Sequence, residues 1–133
     1  MRLGARRAQF ARGSQRGSPR SGEVMEWTVE TLGDKLVGKP TGRVDEASWE
    51  LFSESLIDAV RAAKAAGASL VVDLSSLDYM VSRGLRALTL AKREGDPDTV
   101  VILAAPNERM REILHISRYD KMFKVVDSVA EAV

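Results

Sequence analysis

Strands separated by helices in the order β-β-α-β-α-β-α-β-α predict an α/β domain, a single mixed sheet of four to five strands with about four helices packed on it. The runs Ser69–Leu74 and Thr99–Ala104 carry most of that prediction. Both are short, apolar and rich in β-branched residues, the signature of strands buried in a parallel sheet. The segments around them place apolar residues at helical spacing. Parallel strands joined by such segments need right-handed crossovers.

The elements follow in order. Glu26–Leu32 alternates, with Trp27 and Val29 on one face, and reads as a strand. Gly33-Asp34 is a turn signal, and Lys35–Thr41 is the returning strand of a hairpin. Gly38 and Pro40 weaken that strand, because proline cannot donate to a ladder, so it is expected at a sheet edge or with a bulge. Asp45 is placed to cap a helix running to about Ala66, with Trp49, Phe52, Leu56, Val60 and Ala63 as its apolar stripe and Gly67 as its stop. After the strand at Ser69–Leu74, a turn over Ser75–Val81 leads into a second helix from about Ser82 to Glu94. Gly95-Asp96-Pro97 ends that helix. Pro106-Asn107 opens a third helix with Met110, Ile113 and Leu114 inward. Phe123–Val126 is a short last strand, and Ser128 to Glu131 has the spacing of a capping box for a final helix.

At 133 residues the chain has the length of one domain with one core. No window is apolar enough for a membrane-spanning helix, so no membrane insertion is expected. Cysteine is absent, which removes disulfides, thiolate metal sites and cysteine nucleophiles and fits a cytoplasmic location. His115 is the single histidine, so no multi-histidine metal site exists. The net charge of +1 conceals an asymmetry. Residues 1–22 hold six arginines and no acid, and subtracting them leaves −5 for residues 23–133. Residues 1–24 are therefore expected as a disordered basic tail before a domain over 25–133, since their composition cannot bury enough surface to offset ordering entropy. Read as a bare extension, the tail precedes a natural start at Met25. Read as a nucleic-acid or anionic-membrane arm, it predicts strongly salt-dependent binding. The disorder-like composition favours the first reading, and no nucleic-acid partner is expected.

Candidate chemistry is sparse. Asp73, Ser75, Ser76 and Asp78 cluster just past a parallel strand, where α/β folds often build sites. The same residue types also satisfy backbone groups in turns. No glycine-rich phosphate loop lies between a strand and a helix, and Ser82 has no GxSxG elbow around it. No catalytic group, metal or cofactor is assigned, and the chain is not expected to be an enzyme.

One stretch is more informative. It runs Val71-Val72-Asp73-Leu74-Ser75-Ser76-Leu77-Asp78-Tyr79-Met80-Val81-Ser82-Arg83-Gly84-Leu85-Arg86-Ala87-Leu88. Here the chain resembles the STAS family, shared by sulphate transporters and bacterial anti-sigma-factor antagonists. That family shows an apolar strand ending in Asp-Leu-Ser, a short turn, and an Asp-Ser-Ser/Thr-Gly-Leu run opening a helix. The likeness extends upstream to Leu36–Asp45 and downstream through Val101–Ala104, Pro106–Leu114 and Tyr119–Phe123. It covers about Met25 to Val133.

The resemblance implies a protein-binding regulator of transcription. In the family, an anti-sigma factor that is also a serine kinase, of the histidine-kinase-like ATPase type, phosphorylates a hydroxyl at that helix start. The phosphate weakens binding. Two departures stand out. Val81 occupies the position of the usual aspartate, and Arg83 occupies that of the usual acceptor. Ser82 is the hydroxyl left in the run, which makes it the candidate phosphorylation site. Its other reading is a plain helix N-cap. The expected partner-binding residues are Asp78, Tyr79, Met80, Val81, Ser82, Arg83, Gly84 and Arg86. Arg83 and Arg86 would meet partner carboxylates. Tyr79 and Met80 are either core or the apolar centre of the patch. The alternative is an unswitched STAS subunit of a transporter or signalling complex, which Arg83 at the acceptor position favours.

Overall fold

Strand β2 (Lys35–Val44) organises the sheet, because every early element is hung on it. The computed structural model describes residues 25–133, so the basic tail expected over 1–24 lies outside the described residues. Strand β1 (Glu26–Leu32) runs antiparallel to β2 around the Gly33-Asp34 turn. Helix α1 (Trp49–Ala66) follows, and Gly67 ends it in the left-handed conformation at φ 67°. Next come β3 (Ser69–Asp73), β4 (Leu77–Met80), α2 (Ser82–Gly95), β5 (Val101–Ala104) and α3 (Glu108–Ile116). The chain closes with α4 (Tyr119–Met122), β6 (Lys124–Val126) and α5 (Val129–Ala132).

The sheet has six strands among the described residues, in the order β1-β2-β3-β5-β6, with β4 paired to β2 off that path. Every pairing after the first hairpin is parallel. The architecture is thus the expected mixed α/β sheet, with more elements than anticipated. Leu77–Met80, expected within a turn, is a strand, and Tyr119–Met122 forms a short helix of its own.

The second strand departs from expectation in position. Far from lying at an edge, β2 is flanked by β1 on one side and by β3 and β4 on the other. Pro40 is tolerated for a geometric reason. β3 pairs with Lys35 to Gly38, β4 pairs with Gly42 and Val44, and Pro40 falls in the gap between them. The Gly42 amide donates to the Ser76 carbonyl at 3.1 Å. By the two-residue period of a strand, the nitrogen of Pro40 points to that same side, where no partner waits. The expected irregularity is present as a register shift between Gly42 and Val44. Gly38 has a packing role. A Cβ there would stand 2.5 Å from the Trp27 indole, so glycine is what lets Trp27 lie across the strand.

One face of the sheet carries the main core. Phe52, Leu56, Val60 and Ala63 of α1 interleave with Leu36, Leu70, Val72 and Leu103 of the sheet and with Leu88 of α2. Burial of each larger side chain contributes roughly 1.5–3 kcal/mol. The Trp27 ring meets Phe52 edge-on at 6.2 Å. The opposite face buries a smaller group, Val37, Val71, Ile102 and Ala104, beneath Ala132 of α5. Half of the expected capping box forms at its start: the Ser128 hydroxyl accepts from the Glu131 amide, while the Glu131 carboxylate accepts from the Asp127 amide, one residue before the cap, and not from the amide of Ser128.

Candidate functional site

The expected site residues gather where β4 meets α2, beyond the carboxyl ends of the parallel strands. β4 reaches that place by leaving β3 through a tight turn. The Asp73 carboxylate accepts the Ser75 amide at 3.0 Å, and the Leu77 amide returns to the Leu74 carbonyl at 3.1 Å. Asp73 therefore serves the turn. Among the described residues, no hydrogen bond joins a hydroxyl of Ser75, Ser76 or Ser82 to a basic or acidic side chain.

β4 then lies along the last residues of β2. The Val81 amide donates to the Val44 carbonyl at 2.9 Å and holds the end of the strand. On its other side β4 is clamped by Asn107. Its side chain accepts from the Met110 amide at 2.7 Å, capping α3, and donates to the Leu77 carbonyl at 3.0 Å. One amide thus fixes both the start of α3 and the edge of β4. The sequence marks Asn107 as a helix start but not as a clamp, because its second partner lies thirty residues away.

The floor of the junction is closed. Met80 is 3% exposed and belongs to the core, so the expectation that it forms part of a docking surface is corrected. Gly84 is also buried, and a Cβ there would collide with Met80 and lie 2.7 Å from a Val44 methyl. It presents no surface to a partner. Its glycine lets the first turn of α2 settle onto the Val44 and Met80 side chains of β2 and β4. The rim is open. Asp78, Ser82, Arg83 and Arg86 are exposed, and Tyr79 and Val81 are half-buried. The N-cap of α2 is Val81, with extended ψ of 171°, and Ser82 is the first helical residue. Ser82 is therefore not the N-cap, and among the described residues its hydroxyl makes no hydrogen bond.

Further rim residues come from elements that local sequence patterns do not connect. The Arg83 guanidinium lies 5.1 Å over the Trp49 ring and 3.7 Å from the Glu46 carboxylate. The Arg109 guanidinium lies 5.7 Å over the Tyr79 ring and 3.8 Å from Asp78. The loop that positions Glu46 and Trp49 is tightly knit. The Asp45 carboxylate accepts from Arg43 at 3.0 Å and from the Ala47 and Ser48 amides. The Arg43 guanidinium is the first cause holding the Asp45 carboxyl below the usual carboxylate range, and the Ser48 hydroxyl and loop amides add to it. The same hydrogen bond raises the Arg43 guanidinium above its usual value. Asp45 caps this turn, while the helix proper begins at Trp49 after Ser48.

Among the described residues, no group of three or more histidine or acidic side chains is placed to hold a metal ion. No helix among them is long and apolar enough to cross a membrane.

Comparison with known proteins agrees with this fold. The family model described as STAS domain matches residues 26–132. The crystal structure of an anti-sigma factor antagonist from Mycobacterium paratuberculosis superposes with a TM-score of 0.69 at 23% identity, over 85% of this chain and 93% of that one. An anti-sigma-factor antagonist (STAS) domain protein from Planctomyces limnophilus gives 0.70 at 17% identity, over 80% and 93%. The Bacillus cell fate determinant SpoIIAA in its phosphorylated form gives 0.56 at 19% identity, over 74% and 89%. At these identities the structures establish a shared fold. With the family model spanning all but the first described residue and the last, the chain belongs to the STAS domain family.

Proposed function

We propose that this chain is a cytoplasmic regulator of the anti-sigma-factor antagonist type. It binds an anti-sigma factor that is also a serine kinase of the histidine-kinase-like ATPase type, through the rim of the β4–α2 junction, and phosphorylation of Ser82 weakens that binding. The observation that carries the reading is the setting of Ser82. Its hydroxyl is exposed at the first position of a 14-residue helix. The first amides of a helix have no partner within it and carry a partial positive charge, so a phosphate is tolerated by the fold. The same phosphate adds about −1.5 to −2 charges to the docking surface. An acidic or apolar patch facing it on the partner is then repelled or left poorly matched, and the complex weakens.

A second reading is favoured by Arg83. It stands at the usual acceptor position and is held between Trp49 and Glu46. On that reading the chain is an unswitched STAS subunit of a transporter or signalling complex. Incubation with the cognate kinase followed by mass spectrometry decides the modification, and phosphate found elsewhere or nowhere ends the first reading. Ser82→Asp is expected to lower partner affinity under the first reading and to leave it unchanged under the second.

A further inference from the structure

The five arginines that stand within 4 Å of a carboxylate among the described residues fall into two groups. Arg43, Arg61 and Arg111 donate directly to carboxylates at 3.0, 2.9 and 2.8 Å. Arg83 and Arg109 are different. Each guanidinium rests over an aromatic ring, and the neighbouring carboxylate stays at 3.7 or 3.8 Å, beyond ordinary hydrogen-bond length. Among the described residues neither donates a hydrogen bond. Their side chains are 59% and 60% exposed.

A guanidinium stacked on a ring is held by cation–π attraction, so less freedom is lost when it binds. Its N–H fork remains available to a planar, bidentate acceptor. The two seats lie on either side of the β4–α2 junction. One is built by the loop before α1 and the first turn of that helix, and the other by β4 and the start of α3.

We infer that Arg83 and Arg109 form a pair of seated guanidiniums that receives carboxylates from an acidic segment of the docking partner. This names the partner chemistry of the site proposed above and rests on that reading. Residues 23–133 carry a net charge of −5, and Glu46 and Asp78 stand beside the two arginines. A polyphosphate backbone or an anionic bilayer would be repelled by the surrounding acids. A short segment with spaced carboxylates brings one charge to each guanidinium and neutral residues to the rest of the acidic surface. Arg86 is exposed like these two but has no ring beneath it among the described residues, so it is not part of the pair.

The test is a nuclear magnetic resonance titration of the full chain that follows each arginine Nε–H separately. The probe is a short end-capped peptide in which two glutamates are separated by neutral residues. Inorganic phosphate and a single-stranded oligothymidylate are run at equal ionic strength. Arg83 and Arg109 are expected to shift saturably with the peptide, while Arg61 and Arg111 stay still. Arg83→Gln is expected to weaken the peptide's effect at Arg109 by about two- to fivefold, the range of one exposed ion pair. Still signals at Arg83 and Arg109, an unchanged Arg109 curve in Arg83→Gln, or larger shifts with phosphate or oligothymidylate would each overturn the inference. Shifts that occur as expected, with the anti-sigma kinase binding Arg83→Gln and Arg109→Gln as tightly as the parent chain, would instead overturn the docking role assigned to this rim.

Discussion

Ser82 and Gly84 stand two residues apart in α2 and meet opposite surroundings. Gly84 faces inward onto Met80 and Val44, where not even a methyl group fits. Ser82 faces solvent and makes no hydrogen bond among the described residues. The floor of the junction is thus fixed by packing, whereas the rim is held by weak, exposed interactions. A site built this way can change the chemistry of its rim without disturbing the fold beneath. Such a rim can carry an arginine at position 83 while the family architecture stays intact.

Perturbing the floor should have the largest effect. Gly84→Val drives a branched side chain into Met80 and Val44, whose positions are set by the buried ends of β4 and β2. A loss toward the upper end of roughly 1–3 kcal/mol is expected in chemical denaturation, because a close-packed site must shift to admit it. Between floor and rim lies the Asn107 clamp. Asn107→Ala removes the α3 cap and leaves the Leu77 carbonyl without its side-chain partner. A loss of about 1–2 kcal/mol is expected, with faster amide exchange along β4 that a bare capping defect would not produce.

Acid offers a gentler probe of the loop that supports the rim. The folded-state pKa of Asp45 lies below its unfolded value of about 3.9. Its contribution is therefore fully present above that value and is lost as pH falls through the lower folded-state one. Asp45→Asn should flatten the acid limb of stability against pH below about 4 without affecting the neutral plateau's slope. The smallest effect belongs to the rim itself. Ser82→Ala should change stability by no more than about 0.5 kcal/mol, because the hydroxyl bonds to nothing in the fold. A larger loss on thermal unfolding would mean that Ser82 belongs to the floor.

Patterns local in the chain are legible from sequence. The helical stripe from Phe52 to Ala63, the stop at Gly67, the two buried parallel strands and the Ser128 helix cap all depend on residues a few positions apart. What sequence leaves hidden depends on distant partners. Leu77–Met80 has no long apolar run, and its strand character comes from pairing with the far end of β2. Pro40 suggests an edge because the division of one strand side between β3 and β4 leaves no local mark. Of the rim, Ser82, Arg83 and Asp78 are legible through the family run, but the rim roles of Glu46, Trp49 and Arg109 are not. Trp49 reads as part of an apolar stripe, and only the fold brings it under Arg83.

The double hold of Asn107 also bears on the order in which this surface comes into being. Its link to Leu77 spans thirty residues, and pairings so far apart along the chain close late because loop entropy opposes them. The rim needs that link for β4 and a second, across to Glu46, for Arg83. A nascent or partly unfolded chain therefore lacks the surface altogether. On the proposed docking role, recognition would double as a quality check, since a partner that reads this rim would read only completed molecules.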